Sequence, residues 1–215
     1  MATIGIKHPV YAVISTMNTG AKPTYTAAKS GILGKATKAD VTLNFAEGSL
    51  YADDSLAEYA TKFQNGTIAA GFDELTPQKY ADILGYRIDA TGGTSILRKG
   101  AKDAAPHVGF GYYKTKVIDG VKKYEAKVFY NCVFKENGDN AETAADSINF
   151  QTIELSATVL PVIGFNEDDY MEEQLFTTEA AAVTFLHSEL GITGTPSTRS
   201  APSETTDSGT KGSGK

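Results

Sequence analysis

Two clusters of carboxylates hold the raw material for a hard-cation site. Asp53, Asp54 and Glu58 form the first; Glu167, Asp168, Asp169, Glu172 and Glu173 form the second. Calcium takes several oxygens, supplied in a loop by an Asp-x-Asp-x-Asp-Gly pattern. The first cluster lacks that pattern and reads as solvated or interface carboxylates; the second reads as a solvated acidic patch. His8, His107 and His187 include no ligand-spaced pair, and surface or capping roles are expected of them. His187 falls in the last turn of a predicted helix, where a histidine interacts well with the dipole. Cys132 is the single cysteine, so it forms neither an internal disulfide nor a cysteine-based zinc site. Between Asn131 and Val133 in a predicted strand it reads as core rather than nucleophile. Gly109-Phe-Gly111 starts like a dinucleotide fingerprint but lacks the third glycine and a following helix. Asn65-Gly-Thr67 has the form of a glycosylation acceptor with no secretion signal before it, and reads as a turn. The expectation is a protein with no catalytic residues, no metal and no cofactor.

The elements that carry these residues are mostly strands. Val10 to Ile14 is the first, after a polar arm ending at Pro9, and residues 18–29 read as a loop. In residues 40–46, Val41, Leu43 and Phe45 point one way and Thr42 and Asn44 the other, the alternation of a half-buried strand. Glu47-Gly48 reads as a turn. In residues 56–63, Tyr59, Thr61 and Phe63 oppose Glu58, Ala60 and Lys62. Asn65-Gly66 is a strong tight-turn signal, with residues 67–72 as the returning strand. A short helix follows over residues 77–84: Thr76 caps it, Pro77 suits the first position, and Gly85 closes it. Tyr80, Ile83 and Leu84 form its apolar face. Residues 90–105 read as an exposed loop.

The strongest hairpin joins strands 108–118 and 121–134 through Asp119-Gly120, a two-residue turn favouring type I′. That turn sets Ile118 opposite Val121, Lys114 opposite Glu125, Tyr112 opposite Lys127 and Phe110 opposite Phe129. On the other face Thr115 meets Tyr124 and Tyr113 meets Ala126. Residues 148–160 read as a long strand stopped by Pro161, and another strand runs through Phe176. Thr177 or Thr178 caps a final helix over residues 178–190, with Val183, Leu186 and Leu190 as its stripe and Gly191 after it. Residues 195–215 contain no aromatic residue and are rich in Ser, Thr, Gly and Pro, a composition expected to be disordered.

The 215 residues carry 41% hydrophobic and 21% charged side chains, with 11 Tyr, 10 Phe and no Trp, enough for one domain with a core. A formal charge of −6 argues against tight nucleic-acid binding, which draws on a basic patch. Tyr51, Tyr59, Tyr112, Tyr113 and Tyr130 lack the surrounding Arg and Lys that base-stacking platforms need, and read as core or subunit-interface residues. Neither a signal peptide nor an apolar run of membrane-spanning length is legible.

Residues 50–85, LYADDSLAEYATKFQNGTIAAGFDELTPQKYADILG, resemble the major tail proteins of long-tailed bacteriophages in order and wording. So do Gly109-Phe-Gly-Tyr-Tyr-Lys114, Lys127-Val-Phe-Tyr-Asn131 and Ser147-Ile-Asn-Phe-Gln-Thr-Ile-Glu-Leu155, and the likeness covers residues 10–190. It implies a mainly β (α+β) tail-tube fold, sandwich- or barrel-like with a flanking helix, over residues 1–194. It implies rings of six that stack into a hollow tube and conduct DNA during ejection. The implied partners are copies of itself, the tape measure, tail terminator and distal tail proteins, and passing DNA, with no membrane anchor. The implied location is the virion tail, after synthesis in a bacterial cytoplasm. Tyr51, Asp53 and Asp54, on the loop over residues 47–55, are the subunit-interface candidates, and the arm before Pro9 is a second. Thr42, Asn44, Glu58 and Lys62 are the lumen-facing candidates. The alternative reading is a monomeric β-sandwich that binds or decorates a virion.

Overall fold

The computed structural model describes residues 2–52, 55–91, 94–138 and 152–193. Ten strands and two helices are described: β1 (Ala2–Thr16), β2 (Thr24–Ile32), β3 (Ala36–Ala52), β4 (Ser55–Phe72), α1 (Pro77–Leu84), β5 (Arg87–Thr91), β6 (Thr94–Arg98), β7 (His107–Ile118), β8 (Val121–Glu136), β9 (Ile153–Val159), β10 (Met171–Phe176) and α2 (Glu179–Glu189). The fold is mainly β, as the sequence implies. One antiparallel sheet has the order β2-β1-β7-β8-β9-β4-β3, with β10 also on β8, and β5-β6 form a separate pair.

The β7–β8 hairpin forms as its turn dictates. Asp119 and Gly120 have φ of 51° and 77°, the two left-handed residues of a type I′ turn. The pairs Ile118–Val121, Lys114–Glu125, Tyr112–Lys127 and Phe110–Phe129 are all present. A bulge then sets Tyr130 and Asn131 against Gly109, so that Val108 pairs with Cys132.

The sheet curls around one core. Tyr11 and Val13 of β1 share it with Phe110 and Tyr112 of β7, Phe129 and Phe134 of β8, Leu155 and Ala157 of β9, and Ile68 and Phe72 of β4. Cys132 is fully buried there, as expected, and burial drives its thiol pKa up. Ile83 and Leu84 of α1 join the same core. Pro77 opens α1 and Gly85, at φ 74°, ends it, while Thr76 makes no side-chain cap. Tyr11 donates its hydroxyl to the buried carboxylate of Asp82 on α1 at 3.0 Å.

The opposite face of β1, β7 and β8 is covered by α2. Thr178 caps it by accepting from the Ala181 N–H, and Val183, Leu186 and Leu190 are buried against Val10, Ala12, Val128 and Tyr130. Burying each of those three side chains contributes about 1.5–3 kcal/mol. The helix approaches closely because β7 has glycines beneath it. A Cβ on Gly109 would lie 2.4 Å from a Leu190 methyl, and one on Gly111 would lie 3.0 Å from a Leu186 methyl. Gly109-Phe-Gly111 is thus a seat for α2.

Several expectations are corrected. Residues 18–29 are not a loop throughout, because β2 begins at Thr24 and pairs with β1. The arm before Pro9 is part of β1 and pairs with β7. Residues 90–105 include most of the β5–β6 hairpin. Glu47-Gly48 and Asn65-Gly66 are not turns; both lie inside one long hairpin of β3 and β4. The expected strand over residues 148–160 is described as β9; residues 139–151 lie outside the described residues, as do residues 194–215.

Candidate assembly surface

The β3–β4 hairpin is longer than the body that supports it. Its base, residues 66–72 of β4, pairs with β9 on its other edge. Beyond Gly66 that edge has no strand partner among the described residues, and residues 45–52 and 55–63 continue as a two-stranded arm. A bulge at Gln64 marks the passage: Asn44 pairs with Asn65, then Phe45 with Phe63. Gly66 fits there because a Cβ would meet Leu43, the Thr42 carbonyl and Val159 at 3.1–3.3 Å.

Alternation fixes what each face of the arm carries. One face continues the core side of the sheet and bears Phe45, Glu47, Ser49 and Tyr51 on β3 with Phe63, Thr61 and Tyr59 on β4. Phe63 stacks on Tyr170 with centroids 3.7 Å apart, and Phe45 meets Phe63 edge-on at 5.9 Å. Past that anchor none of the described residues covers the face. Tyr51 is 70% exposed, Tyr59 54% and Phe45 48%. Burial of Tyr59, slight as it is, and Glu47 beside it raise the Tyr59 pKa.

The other face carries Thr42, Asn44, Ala46, Gly48 and Leu50 on β3 with Lys62, Ala60 and Glu58 on β4. Thr42, Asn44, Glu58 and Lys62 therefore share one side, and all four are exposed. Asn44 donates to Asn65 at 2.8 Å on the same side. Tyr51 lies near the far end of β3; Asp53 and Asp54 lie outside the described residues. Missing from the sequence reading are Phe45, Leu50 and Tyr59 as exposed residues of one arm. The alternation that reveals them is legible on both sides of Glu47-Gly48, but reading that dipeptide as a turn divides it.

The sheet forks at the base of the arm. β9 and β10 lie end to end along one edge of β8, at residues 132–136 and 124–129 respectively. Residues 160–170 intervene and place Tyr170 under Phe63. The arm leaves the sheet there, while β10 stays with β8. Ion pairs brace the β8–β10 side: Lys116 and Lys127 both reach the buried Glu125, and Lys127 also meets Glu173 at 2.6 Å.

His187 lies in the last turn of α2, as expected, but it is buried, which corrects the expectation of a surface role. Its Nε2 lies 3.0 Å from the Nε2 of His8. His107 meets Asn131 at 2.7 Å. Among the described residues no group of three or more His, Cys, Asp or Glu has a metal-holding arrangement, and no helix is long and apolar enough to cross a membrane. Glu172 receives the Tyr130 hydroxyl, and Gly164 N–H donates to Asp168 at 2.7 Å, so these acidic residues have protein partners. No protein-family model matches this chain, and no curated protein matches it.

Proposed function

We propose that this chain is a non-enzymatic structural subunit that assembles with its own copies, as a tail-tube protein of a long-tailed phage. In this reading stacked six-membered rings form a channel for DNA in the virion tail. The observation that carries it is the β3–β4 arm. A lone two-stranded hairpin is marginally stable in water, and this one bears Phe45, Tyr51 and Tyr59 on the face that is core elsewhere in the sheet. Such a face gains from burial against another molecule. The edge of β4 in the arm, without a strand partner among the described residues, also invites strand pairing. Resemblance of residues 50–85 to the tail-tube family supplies the kind of assembly, and residues 50–52 and 55–63 of the arm fall within that stretch. The exposed, uncharged and mixed-charge side of Thr42, Asn44, Glu58 and Lys62 suits a channel wall, and a net charge of −6 per copy suits the passage of a polyanion.

Electron microscopy of the concentrated protein tests the reading. Rings or tubes are expected from the full chain, and a folded, non-polymerising species from the deletion of residues 52–55. Normal tubes from that deletion would reject the arm as a contact; a full chain that stays monomeric at all concentrations, with or without other tail proteins, would reject the function.

A further inference from the structure

The N-terminal strand is held in two unequal parts. From Val10 to Val13, β1 lies between β2 and β7, and its pairing with β2 runs on to Thr16. Residues 2–7 pair with β7, against residues 113–117, and have no second strand partner among the described residues. The two parts meet at His8-Pro9, where the register on β7 shifts. His8 has φ 55°, a left-handed conformation uncommon for a residue with a side chain. Its ring lies 6.4 Å from that of Tyr113 and 5.2 Å from that of His187, near-parallel to both. The two Nε2 atoms at 3.0 Å require one imidazole to donate an N–H and the other to accept it. If both rings were charged, two donors and two positive charges would face each other.

We propose that the His8–His187 contact is a proton-operated latch that keeps residues 2–7 on β7 and lets them go when both imidazoles are charged. It stands or falls apart from the assembly reading, since it concerns contacts within one chain. His187 and Glu179 from α2 and Tyr113 from β7 face His8, with Tyr124 of β8 edge-on behind Tyr113 and Lys7 next to it in β1. Glu179 favours the charged ring, but it already takes the Tyr113 hydroxyl. Burial, then the nearby His187, outweigh it and lower the His8 pKa from 6.5 to about 4. The folded state thus binds fewer protons at His8 than the unfolded chain. The latch is complete above 6.5 and fails as pH falls from there through about 4. Opening uncovers the edge of β7 at residues 114–117, a row of unpaired backbone groups able to accept another strand.

The test combines imidazole NMR titration with amide hydrogen exchange on the full chain between pH 7.5 and 4.5. Exchange rates are corrected for their intrinsic pH dependence. In the wild type, His8 is expected to titrate well below 6.5. Protection of residues 3–7 is expected to fall about tenfold or more over the range, while amides of the central β7–β8 pairs stay protected. In His187→Gln the His8 midpoint is expected to rise by about one pH unit or more. A wild-type His8 midpoint near 6.5, unchanged protection of residues 3–7, or loss of protection shared equally by the core strands would each overturn the proposal. The wild-type measurements decide it even if the variant folds poorly.

Discussion

Placing a methyl group on Gly109 probes the tightest approach of α2 to the sheet. The new Cβ would lie 2.4 Å from Leu190 Cδ2 and 2.6 Å from Tyr25 Cε1. Carbon atoms settle at about 3.5–4.0 Å, so the neighbours must retreat by about 1 Å or more. Neither can do so freely. Leu190 is fully buried at the end of α2, and Tyr25 is tied by its hydroxyl to the Tyr130 carbonyl at 3.0 Å. Overpacking of this kind costs about 1–3 kcal/mol. The alanine also narrows the unfolded ensemble, which offsets about 0.4–1 kcal/mol. Taking the middle of both ranges, Gly109→Ala is expected to destabilise by about 1.3 kcal/mol, or about 3–5 °C in melting midpoint for a chain of this size. Thermal and urea unfolding of the purified protein measure it. Leu190→Ala alone is expected to cost about 2–5 kcal/mol. In the double variant the two changes share the same space, so their costs should fall short of additive by about 1 kcal/mol or more. Gly48→Ala is the contrast: its Cβ would meet only the Ala60 carbonyl at 4.0 Å. That change is expected to leave the stability level or raise it by about 0.5–1 kcal/mol. A Gly109→Ala protein as stable as the wild type, or strict additivity in the double variant, would refute the account of how α2 is seated.

Two further outcomes follow from buried or paired polar groups. Tyr11→Phe removes one donor from the buried Asp82 carboxylate and leaves Gln78, which also donates at 3.0 Å. A loss of about 1.5–3 kcal/mol is expected in urea unfolding, and a neutral result would show that water replaces the hydroxyl without cost. Burial alone would raise the Glu136 pKa, but hydrogen bonds from Lys99 and Tyr86 and the lysine charge outweigh it, so its pKa is lowered from 4.5. Its contribution to stability is thus present above 4.5 and is lost as pH falls through the lower folded value. Lys99→Met should raise the Glu136 titration midpoint by carboxyl NMR, and an unmoved midpoint would deny the pairing.

Local rules made some elements readable and left others hidden. Asp119-Gly120 has two residues that accept positive φ, and that single fact set nine positions of β7 in register with β8 as far as the bulge at Gly109. The stripe of Val183, Leu186 and Leu190 was equally plain, because a helix face repeats on a short scale. Asn65-Gly66 misled for a physical reason. Glycine serves a turn, but it also serves where two strands and Val159 leave no space for a Cβ, and the sequence does not distinguish those uses. The pairing of β2 with β1 and the meeting of His8 with His187 were illegible. Each depends on where distant segments lie once the sheet has curled, and 179 positions separate the two histidines.

The register of the β3–β4 hairpin makes its length a discrete quantity. Successive side chains alternate between faces, so shortening each strand of the arm by one residue would withdraw the tip by about 3.4 Å and turn Tyr51 to the opposite side. Shortening each by two would withdraw it by about 7 Å and leave Tyr51 facing as before. Reach and handedness of the tip can therefore change together or separately according to whether the step is odd or even, and variation in this hairpin is constrained by parity.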